Sequence, residues 1–257
     1  MSRASRSARG KDRLLLDRSS DLPPPPAALL DGASLFLDFD GTLAGFEDDP
    51  EAVFLTEAEQ ARLSALYERL DGRLCIISGR ALSSLEQRIG DDRIALVGSH
   101  GLERRIDGRT ESPDDGQPGL AAASAKIAAI AADEGVRFED KTFGAALHFR
   151  ECPDKQAELH EVIVRLAARY GLEVQDGNHV IEVRLPGGTK GDALDRLMRD
   201  APLCDGRPVM IGDDLTDEHA FRAARAMGGA AVLVGPARET AAAYQLESVA
   251  ALWEWLR

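Results

Sequence analysis

Cysteine is scarce in this chain: Cys75, Cys152 and Cys204 are the only three, and no pair has a C-x-x-C spacing. An odd, scattered set offers neither a disulfide framework nor a structural zinc site, and it fits a reducing compartment. Long apolar runs are missing as well. Nothing approaches the ~20 residues that cross a bilayer, and Leu14-Leu15-Leu16 is too short for the core of a signal peptide. Positive charge is in deficit, with 31 Lys and Arg against 44 Asp and Glu, a formal charge of −13. That balance speaks against nucleic acid and anionic membranes as partners, and the expected location is the cytoplasm. It also makes any Lys or Arg lodged inside a motif more informative than it would be in a basic protein.

What is present is an ordinary globular balance, 44% hydrophobic and 29% charged over 257 residues, enough for one large domain or a core with a smaller insert. Residues 1–32 read as a disordered Arg-, Ser- and Pro-rich tail. From Ser34 onward, short apolar runs (Ser34–Leu37, Leu74–Ile77, Ala95–Val97) alternate with amphipathic helices, the first opened by Thr56 and Glu59 at capping-box spacing. That pattern predicts a doubly wound, parallel-sheet α/β core with helices on both faces. After residue 107 the style changes to helix, hairpin, helix, hairpin, which predicts a small α+β insert over 108–187, left through Pro186-Gly187-Gly188. The core pattern returns over 188–257, with strands at Pro208–Ile211 and Ala231–Val234.

Four short motifs carry chemistry. Asp38 and Asp40 leave the carboxyl end of a buried strand two residues apart, so both address one site, and Gly41 permits the sharp turn that follows. Ligands of open parallel sheets bind at that end of the strands. The bland alternative is a turn with two solvated acids. Ser78-Gly79-Arg80 follows the next strand; Ser78 and Arg80 suit phosphate or sugar, although Ser-Gly is also an ordinary turn. Lys190 opens a helix, where an ammonium beside the N-terminus makes an anion site, or is merely solvated. Asp213, Asp214, Asp217 and Glu218 fall within six residues after another strand. They would repel one another unless a hard cation sits among them or water screens them, and Mg²⁺ prefers a few such carboxylates. Asp217 and Glu218 also suit a first helical turn, where the macrodipole favours negative charge.

In this order and at these element ends, the four motifs resemble those of the haloacid dehalogenase superfamily. The resemblance implies that Asp38 is a nucleophile that becomes an aspartyl phosphate and that Asp40 is the general acid and base. It further implies that Ser78 and Lys190 hold phosphoryl oxygens. Mg²⁺ would be held by Asp38, the Asp40 carbonyl and Asp213, with Asp214 and Asp217 as further candidates.

Beyond residue 33 the chain is most similar to the trehalose-6-phosphate phosphatase family. The matching residues are Phe36–Leu43, Ile77–Arg80, Gly98–Glu103 and Gly212–Glu218 and, more loosely, Glu139–Lys141, Ala146–Arg150 and Gly177–Arg184 in the insert. The resemblance implies that Glu139, Lys141, Arg150 and Glu182 contact sugar hydroxyls from a cap, with His100, Arg80 and Asn178 assisting. Without it, Glu139/Lys141 and Glu182/Arg184 read as exposed cross-strand ion pairs. His148 lies in an apolar strand and reads as a core histidine, while His160 and His219 read as helix-surface residues. The expected partner is a small-molecule sugar phosphate, and the tail is a candidate dock for the enzyme making the phosphorylated disaccharide. Three rivals remain: a phosphatase of another sugar phosphate, a phosphomutase, and a silent regulatory domain. The Ser112–Pro118 loop and the N-terminal tail match nothing assignable, and Gly235–Thr240 replaces a Gly-rich stretch often seen there.

Overall fold

The structure, a computed structural model, describes residues 22–47, 49–113, 118–177, 179–186 and 188–257. Most of the expected tail, the centre of the Ser112–Pro118 loop, Asn178 and Gly187 lie outside the described residues. Residues 22–32 of that tail have defined structure. Ala27–Leu30 form a 3₁₀ turn, Leu29 and Leu30 are buried, and the Gln245 backbone amide donates to the Pro23 carbonyl at 3.0 Å. The two leucines pull this segment onto the core despite the prolines before it.

The chain runs β1 (Ala33–Leu37), α1 (Glu57–Arg69), β2 (Leu74–Ile77), α2 (Leu82–Ile89) and β3 (Ala95–Gly98), then a hairpin of β4 (Glu103–Ile106) and β5 (Arg109–Glu111). Next come α3 (Pro118–Glu134), β6 (Arg137–Lys141), β7 (Gly144–His148), α4 (Lys155–Arg169), β8 (Glu173–Gly177) and β9 (Val180–Arg184). It closes with α5 (Lys190–Leu197), β10 (Arg207–Gly212), α6 (Glu218–Ala226), β11 (Ala230–Val234), β12 (Tyr244–Leu246) and α7 (Val249–Trp255).

Eight strands form one sheet in the order β12-β11-β10-β1-β2-β3-β4-β5, parallel from β12 to β3 and antiparallel through β4 and β5. The inner parallel strands β1, β2, β3, β10 and β11 are apolar on both sides because both faces are covered. Leu35, Leu37, Ile76 and Ile211 point to the side packed by α1, α2 and α7; Phe36, Cys75, Ile77 and Met210 point to α5 and α6. The Thr56–Glu59 capping box that opens α1 is present, and α1 buries Leu63 and Leu66. β5 extends the large sheet beyond residue 107, so the chain leaves that sheet only after Glu111.

Between β5 and α5, four strands form a second, antiparallel sheet in the order β6-β7-β9-β8. Ile127, Leu159 and Ile163 from α3 and α4 cover one face and pack on Leu147, Ile181 and Val183. The other face is polar.

Strand connections proceed outward from β1 through β2 in one direction and through β10 and β11 in the other. β1 and β10 therefore flank the switch point of the sheet, where open α/β folds bind ligands. Register sets Leu37 beside Ile211, and the Asp38 amide donates to the Ile211 carbonyl at 2.9 Å. The acids after these two strands must meet.

Candidate active site

Asp38 directly follows β1, with its side chain buried. Lys190, first residue of α5 and also buried, donates from Nζ to Asp38 Oδ1 and to Asp217 Oδ1, both at 2.7 Å. Thr189 caps that helix in a reciprocal box with Asp192, which fixes where Lys190 emerges. Burial alone would lower the lysine ammonium, but Asp217 and Asp38 outweigh it and hold it above the ordinary value. Burial pushes the Asp38 carboxyl well up, Asp217 and Asp213 add to the push, and Lys190 opposes it.

Asp213 lies opposite. Burial raises its carboxyl to about 6, with the Asp217 charge reinforcing the shift. Two glycines make the approach possible. A Cβ on Gly41, at φ +77°, would lie 2.1 Å from Asp213 Oδ2, and one on Gly212 would lie 2.3 Å from the Asp217 carboxyl carbon. One oxygen from each of Asp38, Asp213 and Asp217 falls within 4.8 Å of the others. Three hard oxygens crowded with too little positive charge, one of them protonating near 6, fit a divalent cation such as Mg²⁺.

Not every acid of the loop joins this group. Asp214 does not: its Oδ1 accepts from the Leu215 amide at 2.6 Å and caps the short turn, which directs the carboxylate away. Asp217 is wholly buried, and its other oxygen accepts from the Asp213 and Asp214 amides at 3.0 Å each. Its acidity belongs to this network and not merely to a helix dipole. The side chain of Asp40 turns to Arg80, which donates from Nε to Oδ2 at 2.8 Å and from Nη2 to Oδ1 at 2.6 Å. Ser78 is buried beside them, with its Oγ accepting from the Arg80 amide at 3.1 Å.

The polar face of the second sheet is a trough. Cross-strand register aligns Glu139, Ala146, Glu182 and Gln175 on one face. Ala146 and Gly144 leave its floor low between Glu139 and Lys141 on one side and Glu182 on the other. Lys141 Nζ donates to Glu182 Oε2 at 2.6 Å, and Glu182 Oε1 stands 3.9 Å from His100 Nε2. His100 belongs to the large sheet's side. Its ring covers Gly79, where a Cβ would come within 2.5 Å of it, so the trough adjoins the Ser78–Arg80 turn. Burial first, then Lys190, Arg184 and Lys141, lower the His100 imidazole to about 3. Arg150 is exposed just past β7 and makes no hydrogen bond among the described residues.

Three participants escaped the sequence reading. His148 is not a core residue: it sits half-exposed on the trough face and bonds Glu139 at 2.7 Å. Arg238, from the unmatched Gly235–Thr240 stretch, donates to the Asp213 carbonyl at 3.2 Å and the Asp214 carbonyl at 2.8 Å. It also donates to Glu218 Oε1 at 2.5 Å. Glu103 accepts from Ser99 Oγ at 2.7 Å and from the Leu82 amide at 3.0 Å, bracing the turn that carries His100. His219 is exposed on its helix, and His160 is half-exposed on its own beside Asp176, 3.1 Å away.

A parallel sheet whose switch point gathers buried acids around a lysine, with a second sheet inserted above, is a haloacid-dehalogenase-like fold. A haloacid dehalogenase-like hydrolase from Bacteroides thetaiotaomicron shares it at TM-score 0.62 and 15% identity, over 84% of this chain and 94% of that one. Residues 36–250 match the trehalose-phosphatase family, and the chain belongs to that family. It is 35% identical to a probable trehalose-phosphate phosphatase of Sinorhizobium fredii, over 91% of this chain and 86% of the relative. It is 34% identical to the trehalose-6-phosphate phosphatase of Escherichia coli, over 86% and 84%. The C-terminal domain of the C. albicans trehalose-6-phosphate phosphatase aligns at TM-score 0.76 and 26% identity, covering 92% of this chain and 97% of that one.

Proposed function

We propose that the protein is a Mg²⁺-dependent phosphatase that hydrolyses trehalose 6-phosphate to trehalose and phosphate. The observation that carries this reading is the buried Asp38–Lys190–Asp217 chain opening toward a trough lined by Glu139, Lys141 and Glu182. Family membership supports the substrate. The 33–107 plus 188–257 portion would act as catalytic core and the second sheet as its cap, and the three unpaired cysteines support the cytoplasm as its place.

An Asp38 oxygen attacks phosphorus, the bond from phosphorus to the sugar oxygen breaks, and Asp40 hands a proton to that leaving oxygen. A water then attacks the aspartyl phosphate, Asp40 takes its proton, and Asp38 is regenerated as phosphate departs. Lys190 and the Ser78 hydroxyl hold the equatorial oxygens, which offsets the repulsion between a carboxylate and a phosphate dianion. Asp38 and Asp213, with the Asp40 carbonyl, would hold Mg²⁺, and Asp217 would orient Lys190 and the Asp213–Asp214 backbone. When bound, the cation supplies charge stabilisation to the phosphoryl group.

The trough suits a polyol. Glu139 and Glu182 stand two strands apart, ~10 Å at strand spacing; Lys141 bridges that span to Glu182, and a sugar that displaces this contact would donate its hydroxyls to both carboxylates. A substrate lacking those hydroxyls would leave the acids unpaired, and that is the source of discrimination.

The test is phosphate release with Mg²⁺ from trehalose 6-phosphate, sucrose 6-phosphate, glucose 6-phosphate, glycosyl-glycerate phosphates and an aryl phosphate, with Asp38→Asn as blank. A preference for trehalose 6-phosphate that Glu182→Ala removes is expected. Activity centred on another sugar would replace the substrate and keep the chemistry. Complete inactivity would favour a silent regulatory domain.

A further inference from the structure

The catalytic reading uses Glu139 and leaves His148 without a task. β7 presents Gly144, Ala146 and His148 to the trough and buries Ala145 and Leu147 beneath. His148 is 34% exposed and Glu139 44%, and Nε2 lies 2.7 Å from Glu139 Oε2 across a diagonal of the sheet. An ion pair this open adds little to folding stability. Its effect is on geometry. The hydrogen bond from His148, aided by Lys141 and opposed by burial, holds the Glu139 carboxyl below its usual range. Glu139 is thus acceptor-only, and the contact runs from Nε2–H to Oε2. Among the described residues no other side chain bonds Glu139, so Oε1 stays open toward the trough. From the same strand as Glu139, Lys141 reaches across β7 and holds Glu182 at 2.6 Å. Each of the two carboxylates is therefore pinned by one donor from another strand.

We propose that His148 is a positioning residue for the sugar. It fixes one Glu139 oxygen so that the other accepts from a substrate hydroxyl without first losing side-chain freedom. Because the phosphoryl group is bound elsewhere, by Ser78 and Lys190, His148 governs sugar recognition and leaves phosphoryl transfer alone. The inference rests on the trehalose 6-phosphate reading.

The experiment measures kcat and KM with Mg²⁺ for trehalose 6-phosphate and for an aryl phosphate, which has no hydroxyls for the trough. The proteins are the wild type, His148→Ala, His148→Gln, Glu139→Gln and the double variant His148→Ala/Glu139→Gln. His148→Ala is expected to raise KM for trehalose 6-phosphate about tenfold with kcat and aryl phosphate turnover unchanged. His148→Gln, whose amide reaches Glu139, restores most of the loss, and the double variant is no worse than Glu139→Gln alone. An unmoved KM, an equal loss on the aryl phosphate, or additive losses in the double variant would overturn the proposal. Should the alanine variant fold poorly, His148→Asn, too short to reach Glu139, gives the same comparison. A wild type with no preference for trehalose 6-phosphate would instead overturn the substrate reading itself, and is recognised before any variant is measured.

Discussion

Arg80 holds Asp40 by both carboxylate oxygens, at 2.8 and 2.6 Å, while its guanidinium lies 5.4 Å above the centre of the Phe39 ring. Stacking fixes the plane of the fork, and the fork fixes Asp40. Lysine keeps the charge but offers neither the plane nor the paired donors. Hydrogen bonds to charged groups contribute roughly 1.5–3 kcal/mol, so Arg80→Lys is expected to lower kcat about 10- to 100-fold. Steady-state kinetics on trehalose 6-phosphate decide it. A variant that keeps wild-type kcat would show that Asp40 needs no such holder.

Arg238 reaches back 25 and 24 residues to the carbonyls of Asp213 and Asp214 and bonds Glu218, which also accepts from Thr240 Oγ1 at 2.7 Å and the Ala241 amide at 2.8 Å. This clamp sets the backbone from which Asp213 projects. Residues that orient metal ligands typically alter affinity by about 10–100-fold when replaced. Arg238→Gln should therefore weaken Mg²⁺ binding by about tenfold or more, read by calorimetry, with kcat largely recovered at saturating Mg²⁺. Unchanged Mg²⁺ affinity would reduce Arg238 to a loop fastener.

Legibility followed sequence distance. The placement of Asp38, Asp40, Ser78 and Lys190 could be read because each lies at the end of an apolar run or the start of a helix, while their roles were implied only by the resemblance of the four motifs together. β4, with Glu103, Arg104 and Arg105, and the three-residue β5 and β12 lacked the apolar signal of the buried strands. Four acids within six residues gave no means of telling Asp217, turned inward to Lys190, from Asp214, turned outward as a cap. Arg238 was illegible for a stronger reason: its partners lie on another element, and nothing local marks it. His148 did carry a signal, the even parity it shares with Ala146 and Arg150, but the apolar neighbours on the opposite parity masked it.

Gly79 is held open by the ring of His100. A methyl group there would come 2.5 Å from Cε1 and 2.7 Å from Nε2 of an imidazole that cannot retreat freely, since Ser99 and His100 both occupy the left-handed region at φ +49° and +57°. Gly79→Ala should therefore displace the ring toward Glu182 and cost ~1–3 kcal/mol of stability. KM for trehalose 6-phosphate should rise more than that for an aryl phosphate. Thermal melts and paired kinetics test both parts; an alanine variant equal to wild type in each would mean that the turn relaxes at no cost.

His100 also gives the protein a pH signature. Its folded-state pKa of about 3 lies below the ~6.5 of an unfolded histidine, because burial, Lys190, Arg184 and Lys141 all disfavour the imidazolium. Between those values the unfolded chain binds the extra proton, so this residue's contribution to stability falls as pH drops below about 6.5 and is constant above it. Glu182, at 3.9 Å, would favour the imidazolium, but Lys141 already pairs it and burial outweighs it. At pH 5 the loss amounts to roughly 1–2 kcal/mol. His100→Asn removes the titration while tolerating the left-handed backbone, so the difference in unfolding free energy between wild type and variant isolates it. Urea unfolding at pH 5, 6 and 8 should show wild type losing ground to the variant only below pH 6.5. A difference that stays flat from pH 8 to 5 would mean that His100 meets solvent in the native state, and the close contact between the trough and the Gly79 turn would have to be abandoned with it.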